Sequence, residues 1–252
     1  MKWFLVACTA SFLFSCNSSS SGKKEKRDST EIHAWVNVSA VPITAEQLSA
    51  AIKFNGKLQQ AWQWNDKLGE NILITALVEP YADKQKNEYG EEGQSAELNA
   101  CHYVKRRNDY QLLWKINDGE KGCPFDITCG FINDAVTVTD LDKDGIGEIT
   151  LLYRIACRSD VSPAEMKLIM YENTDKYSLK GLSWLKSSPE DTMMVTVNDA
   201  NLETLPGYKK TEDEYMKTFG RYETEKNFVS APPEFLAYAR QQWMKFVIER
   251  FD

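Results

Sequence analysis

The stretch Asp140-Leu-Asp-Lys-Asp-Gly-Ile-Gly-Glu148 constrains this chain more than any other. It sets acidic side chains at positions 1, 3, 5 and 9 of a short loop and a glycine at position 6. Carboxylates on alternate residues can wrap a hard cation, and Ca²⁺ takes roughly six to eight oxygen ligands. Gly145 permits the sharp turn, because glycine tolerates positive φ at little steric cost. The flanks read as strands: Val136 to Thr139 leads in, and Glu148 to Ala156 leads out with Ile149, Leu151, Tyr153 and Ile155 on one face. In that setting Asp140, Asp142 and Asp144 each offer a side-chain oxygen, Ile146 a backbone carbonyl and Glu148 a further carboxylate. Lys143 falls between ligand positions and can point to solvent. Without a cation these carboxylates repel, by roughly 1–4 kcal/mol per close pair at surface dielectric. Ca²⁺ is the expected cofactor. The competing reading is an Asp/Gly-rich turn that needs no ion.

Position 12 of the loop is Leu151, so the closing glutamate of an EF-hand is missing, and the flanks are not helical. Over residues 137–151 the segment resembles the shorter calcium loop of integrin-type FG-GAP repeats, in which an acid at position 9 closes the site. Glu148 stands where that pattern usually has aspartate.

The N-terminus predicts export. Lys2 precedes a mostly apolar run from Trp3 to Phe14, too short to span a bilayer core of about 30 Å. Leu13-Phe-Ser-Cys16 resembles the bacterial lipobox, which implies cleavage before Cys16 and lipidation of that residue; Phe14 is bulkier than usual there. The Ser/Gly tract 17–22 reads as a flexible tether and the charged segment 23–28 as its continuation. Residues 1–15 are thus expected to be a signal peptide and 16–30 a lipidated tether, with the protein on the outer membrane facing the periplasm. The membrane, through the lipid anchor, is an expected partner. The formal net charge is −7 and becomes −8 once Lys2 is removed. That balance argues against nucleic-acid binding, which needs a basic footprint.

Four cysteines follow the tether: Cys101, Cys123, Cys129 and Cys157. An even number in an exported chain predicts two disulfides, with three pairings open. Cys123 with Cys129 would close a small loop, and Cys101 with Cys157 would staple neighbouring strands. Zinc is the competing use, but no Cys-x-x-Cys pair exists and His33 and His102 are isolated.

Residues 31–252 are expected to form a single domain. Strands are predicted at Ile32–Val38, Lys57–Trp64, Asn71–Leu77, Glu97–Lys105, Tyr110–Ile116, Met166–Tyr171 and Tyr177–Leu182, besides the two flanking the acidic loop. The segments 65–70 and 84–95 are predicted as loops. Capping-box spacing at Thr44 to Gln47 predicts a short helix over 45–53, and the same spacing at Thr211 to Glu214 predicts another ending near Gly220. Pro232-Pro233 opens a C-terminal helix expected to reach about Phe251, with Phe235, Ala239, Trp243, Phe246 and Val247 on its packing face. The fold class is therefore mainly β (α+β): an antiparallel meandering sheet with a short N-terminal helix and C-terminal helices packed on it. No internal repeat is evident.

Gly-x-Ser-x-Gly, phosphate-cradling glycine loops and His-Glu-x-x-His are all absent. Other acids, such as Asp126, Glu97 near His102, or Asp66 with Glu70, have no spacing that predicts proximity. The longer pattern of 114–116, 123–126, 139–145, 152–154, 160–163 and 166–168, with Trp64 to Asn71, is similar to a family of small bacterial lipoproteins labelled "surface polysaccharide biosynthesis protein". The resemblance implies a role with envelope glycan or its assembly proteins and names no catalytic residue. The expected function is a non-catalytic calcium-binding β module assisting surface-polysaccharide assembly or binding glycan. The alternative is a hydrolase or transferase acting on envelope polysaccharide.

Overall fold

Alternating side chains and tight turns lay the middle of the chain down as two antiparallel sheets. The computed structural model describes residues 38–86, 90, 92–186, 188 and 190–250, all within one compact unit, Trp35–Asp252. The strand expected at 32–38 lies almost wholly outside the described residues, as do Cys16 and the tether. The first sheet is a meander of β1 (Val41–Pro42), β2 (Lys57–Asp66), β3 (Gly69–Lys86), β4 (Glu92–Arg106) and β5 (Asp109–Cys123), in that order. The second contains β6 (Asp126–Phe131), β7 (Thr137–Thr139), β8 (Glu148–Arg158), β9 (Glu165–Glu172) and β10 (Asp175–Leu182). Its order is β10-β9-β8-β6, with β7 also pairing β8. A parallel pair, β11 (Trp184–Lys186) and β12 (Ile248–Arg250), and the helix α1 (Pro233–Phe246) complete the main elements. The expectation of a mainly β, antiparallel fold holds. No described helix is long and apolar enough to cross a membrane.

Strand β8 shows why these layers stack. Its odd residues Ile149, Leu151, Tyr153 and Ile155 face the first sheet, meeting Trp64, Leu73, Leu98 and Trp114. Its even residue Leu152 faces the other way, into a cluster with Met166, Leu168 and Leu179 that α1 covers with Phe235, Ala239 and Trp243. A third cluster, built on Ile72, Ile74, Cys101 and Tyr103, is covered by Ile43, Leu48, Ile52 and Phe54 of the N-terminal segment. Period-two alternation thus feeds two cores from one strand.

Several boundaries differ from those predicted. The turns are tighter, because pairing continues to Asp66↔Gly69, Arg106↔Asp109 and Glu172↔Asp175, leaving two-residue turns. Arg107 and Asn173 accept positive φ (58° and 49°) in the second and third of these, as tight hairpin turns favour. Within the segment 84–95, predicted as a loop, residues 84–86 end β3 and 92–95 begin β4, paired as far as Lys86↔Glu92 with register shifts between Val78 and Tyr81 and between Asp83 and Lys86. The N-terminal helix is one 3-10 turn, Ala45–Gln47, in which Gln47 Oε1 accepts from the Thr44 N–H at 2.8 Å. One turn does not nucleate a longer helix, and Leu48 is already extended. The helix predicted after Thr211 is a 3-10 segment, Glu212–Thr218, with Gly220 at φ +77° just beyond it. Helix α1 stops at Phe246, the chain passing into β12 beside β11, and Arg154 caps the freed carbonyls. Its Nη2 donates to Phe246 O at 2.5 Å and Ile248 O at 2.9 Å. The buried Glu249 then pairs with Arg158 at 2.5 Å and accepts from the Ala164 N–H.

The cysteine expectation is corrected. Cys123 pairs with Cys157, Cα atoms 5.6 Å apart, while Cys101 and Cys129 are free. Segment 123–129 is no closed loop: it carries the chain out of β5 into β6, an element not predicted. Register then sets Cys129 against Ile155. Alkylation in denaturant without reductant should label Cys101 and Cys129 and spare Cys123 and Cys157; labelling of neither would require a second bridge. Cys123→Ser with Cys157→Ser should cost about 3–4 kcal/mol in denaturant melts, as expected for opening a 34-residue separation.

Candidate metal centre

Register brings the acidic loop together. Thr139 pairs with Glu148 across β7 and β8, so residues 140–147 form a closed connection and its ninth position returns to the base. Gly145 turns at φ +85°, and Lys143 is exposed at φ +63°. The loop ties itself with its own acids: Asp142 Oδ1 accepts from the Asp144 N–H at 3.1 Å, Asp140 Oδ1 from Gly145 at 3.3 Å and Asp144 Oδ1 from Ile146 at 2.7 Å. Asp140, Asp142 and Asp144 each bring a carboxylate oxygen within 4.8 Å of the others. Ile146, expected to offer its carbonyl, lies half-buried in the same loop.

Glu148 lies beneath the loop with no solvent exposure. Its Oε2 accepts from Thr139 Oγ1 and from the Leu141 N–H, both at 2.9 Å, while Oε1 has no hydrogen-bond partner. Burial pushes its carboxyl up to about 8, with Asp142 adding to the rise. The structure adds a residue that the sequence did not signal. Ile149 pairs with Tyr171, so one further step of that register sets Glu172 of β9 across from Glu148. Asp142, Glu148 and Glu172 form a second group with oxygens within 4.8 Å, sharing Asp142 with the first. Glu172 Oε1 is also buried without a partner, and burial with Asp142, Asp144, Asp175 and Asp140 nearby pushes its carboxyl up to about 7. Like charges opposed across strands destabilise a sheet. Among the described residues, none of these five carboxylates forms an ion pair with Lys or Arg. A divalent cation answers that arrangement chemically, since its charge offsets several carboxylates and its coordination takes up open oxygens.

The β2–β3 turn holds the loop from the other sheet. Asp66 Oδ2 accepts from the Gly147 N–H at 3.1 Å and from Trp64 Nε1 at 3.0 Å; its Oδ1 accepts from Leu68 N–H and Asn71 Nδ2, both at 2.8 Å. The Lys67 N–H donates to Gly145 O at 2.9 Å, and its ammonium donates to Asp144 O, a carbonyl. Any side chain at Gly147 would press on Trp64 and Val138, about 3 Å from its Cβ position. Asn71 Oδ1 meets His102 Nε2 at 2.9 Å, and Trp64 stacks on His102 at 5.3 Å. The other acids weighed from sequence do not converge: Glu70 engages Lys105 and Tyr110, Glu97 engages Tyr81, and Asp126 lies at the start of β6.

Comparison with protein-family models, with curated proteins and with solved structures found no match to this chain.

Burial lowers the His102 pKa from 6.5 to about 4. The unfolded chain therefore binds its proton more readily, so the stability His102 contributes is full above about 6.5 and is lost as pH falls toward 4. Urea melts from pH 7 to pH 4.5 should show a loss on the order of 3 kcal/mol at most from this residue. His102→Gln should remove that part of the slope; an unchanged slope would contradict the assignment.

Proposed function

We propose that this protein is an exported, lipid-anchored β module of the bacterial envelope that holds Ca²⁺ in the loop between β7 and β8. The single observation that carries the metal reading is Glu148: a fully buried carboxyl with an open Oε1, in a group with Asp142 and Glu172. A cluster of surface acids alone would be a solvated turn. Here an acid is withdrawn from water and its open oxygen is met by no donor. Asp140, Asp142 and Asp144 complete the donor set, with the Ile146 carbonyl as the expected neutral ligand. All are oxygens, which favours Ca²⁺ over softer metals. Glu148 and Glu172 would bind as carboxylates, so the metal would displace any protons they hold.

The lipobox-like Leu13 to Cys16 and the Ser/Gly tether support anchoring at the outer membrane, facing the periplasm. The likeness to lipoproteins labelled for surface polysaccharide supports a role in binding envelope glycan or its assembly proteins. The separate engagement of Glu70 by Lys105 and Tyr110 and of Glu97 by Tyr81 is the ground for preferring binding over catalysis.

In thermal melts of the full chain, Ca²⁺ after EDTA should raise the melting temperature, by about 2.7 kcal/mol of stability at a hundredfold excess over Kd. Asp142→Ala should abolish the rise; an equal rise in that variant, or none in the wild type, would reject the site. In calorimetric titrations Glu172→Gln should weaken Ca²⁺ by at least about tenfold, as expected when a charged ligand oxygen is replaced by a neutral one. Unchanged affinity would leave Glu172 outside the site.

A further inference from the structure

A second concavity, sharing no residue with the acidic loop, lies between β10 and the segment 202–226, with a volume of about 780 Å³. That is ample for a short oligosaccharide, since small-ligand pockets run to roughly 300–1,000 Å³. Its aromatic surface comes from Tyr208 and Tyr215. The Tyr215 side chain is 47% exposed and is braced edge-on by Phe219, ring centroids 5.0 Å apart. A rigid, water-facing ring with a polar tip suits a ligand that has both apolar faces and hydroxyls.

The charged groups are of two kinds. Lys226 with Glu203 and Lys210 with Glu223 are exposed ion pairs at the rim, worth about 0–1 kcal/mol each and readily re-partnered. Arg221 and Lys180 differ. Arg221 donates from Nε to Asp199 O and from Nη1 to Lys217 O, both at 2.8 Å, which fixes the guanidinium without cancelling its charge. Lys180 has no ion-pair partner among the described residues, and Glu165, also in the lining, shares Lys167 at 3.5 Å with the closer Asp118 at 2.9 Å. The tyrosine-lined cleft thus carries Lys180, Lys210, Arg221 and Lys226 against Glu165, Glu203 and Glu223, an excess of one cation in a chain of net charge −7.

We propose that this cleft binds a carboxylate-bearing oligosaccharide of the uronic-acid type. The C–H faces of its sugars stack on Tyr215 and Tyr208, its carboxylates meet Arg221 and Lys180, and its hydroxyls exchange with the rim pairs. This gives a place to the glycan-binding role proposed above and rests on that reading, but not on the calcium loop.

The test is equilibrium binding of trigalacturonate to the full chain in EDTA, with maltotriose as the neutral comparison and inorganic phosphate as competitor. Trigalacturonate should bind and maltotriose should bind at least about tenfold more weakly, the scale of one lost charged contact. Tyr215→Ala and Lys180→Gln, both at exposed positions, should each weaken trigalacturonate severalfold with melting temperatures unchanged. Wild-type affinity in both variants would place the saccharide elsewhere and overturn the cleft while glycan binding stood. Displacement by phosphate at equal concentration would make it a simple anion site. No binding of either saccharide would overturn both the cleft and the glycan-binding role.

Discussion

The architecture turns on one buried carboxyl. Glu148 begins β8, the strand that both cores share, and its position follows from pairing with Thr139 on one side and from the Ile149–Tyr171 register on the other. The same register that fills the two cores with Ile149, Leu151 and Leu152 draws Glu148 out of water and sets Glu172 beside it. A one-residue slip would turn every one of those side chains to the wrong face. The acid is therefore held by the packing of the whole sheet, and its open oxygen must either keep a proton or share a cation.

Around that point the loop is tied by its own hydrogen bonds. Three of its acids bond their own backbone, and the β2–β3 turn grips the loop through Asp66 and Lys67. Asp66 leads in turn to Asn71 and the neutral His102, which lies between Trp64 and Trp114 in the core joining the sheets. The brace also joins the two sheets through polar contacts, as Asp118 of β5 does by accepting from Tyr153 and Lys167. At the other end of the chain Arg154, Arg158 and Glu249 do comparable work, fixing the terminal strand against β8.

Much of this was legible in the residues. The alternation of 149–155, the hairpins of the middle third and the acidic spacing gave the mainly β fold and the loop between strands, because period-two patterning reports directly on which face is buried. Turn lengths were less legible: Arg107 and Asn173 take left-handed backbone without the glycine that usually announces it. Strand β6 carried a faint signal, Ile127, Cys129 and Phe131 at alternate positions, which the flanking cysteines masked by suggesting a closed loop. Glu172 had no local signal. It follows a strand and precedes a turn like many surface glutamates, and only the β8–β9 register brings it to the loop. The same holds for Asp66, whose role depends on a turn 81 residues away in sequence from the amide it accepts. The disulfide was equally hidden, since spacing favours near pairs and the fold joined a distant one.

The most direct measurement is a crystal structure of the protein grown in Ca²⁺, with anomalous scattering to identify the ion. The account predicts a single calcium peak at Asp142, with oxygens of Glu148 and Glu172 bonded to it at about 2.3–2.6 Å. A loop with no peak, or an ion held by Asp140, Asp142 and Asp144 while Glu148 stays turned away and protonated, would contradict it.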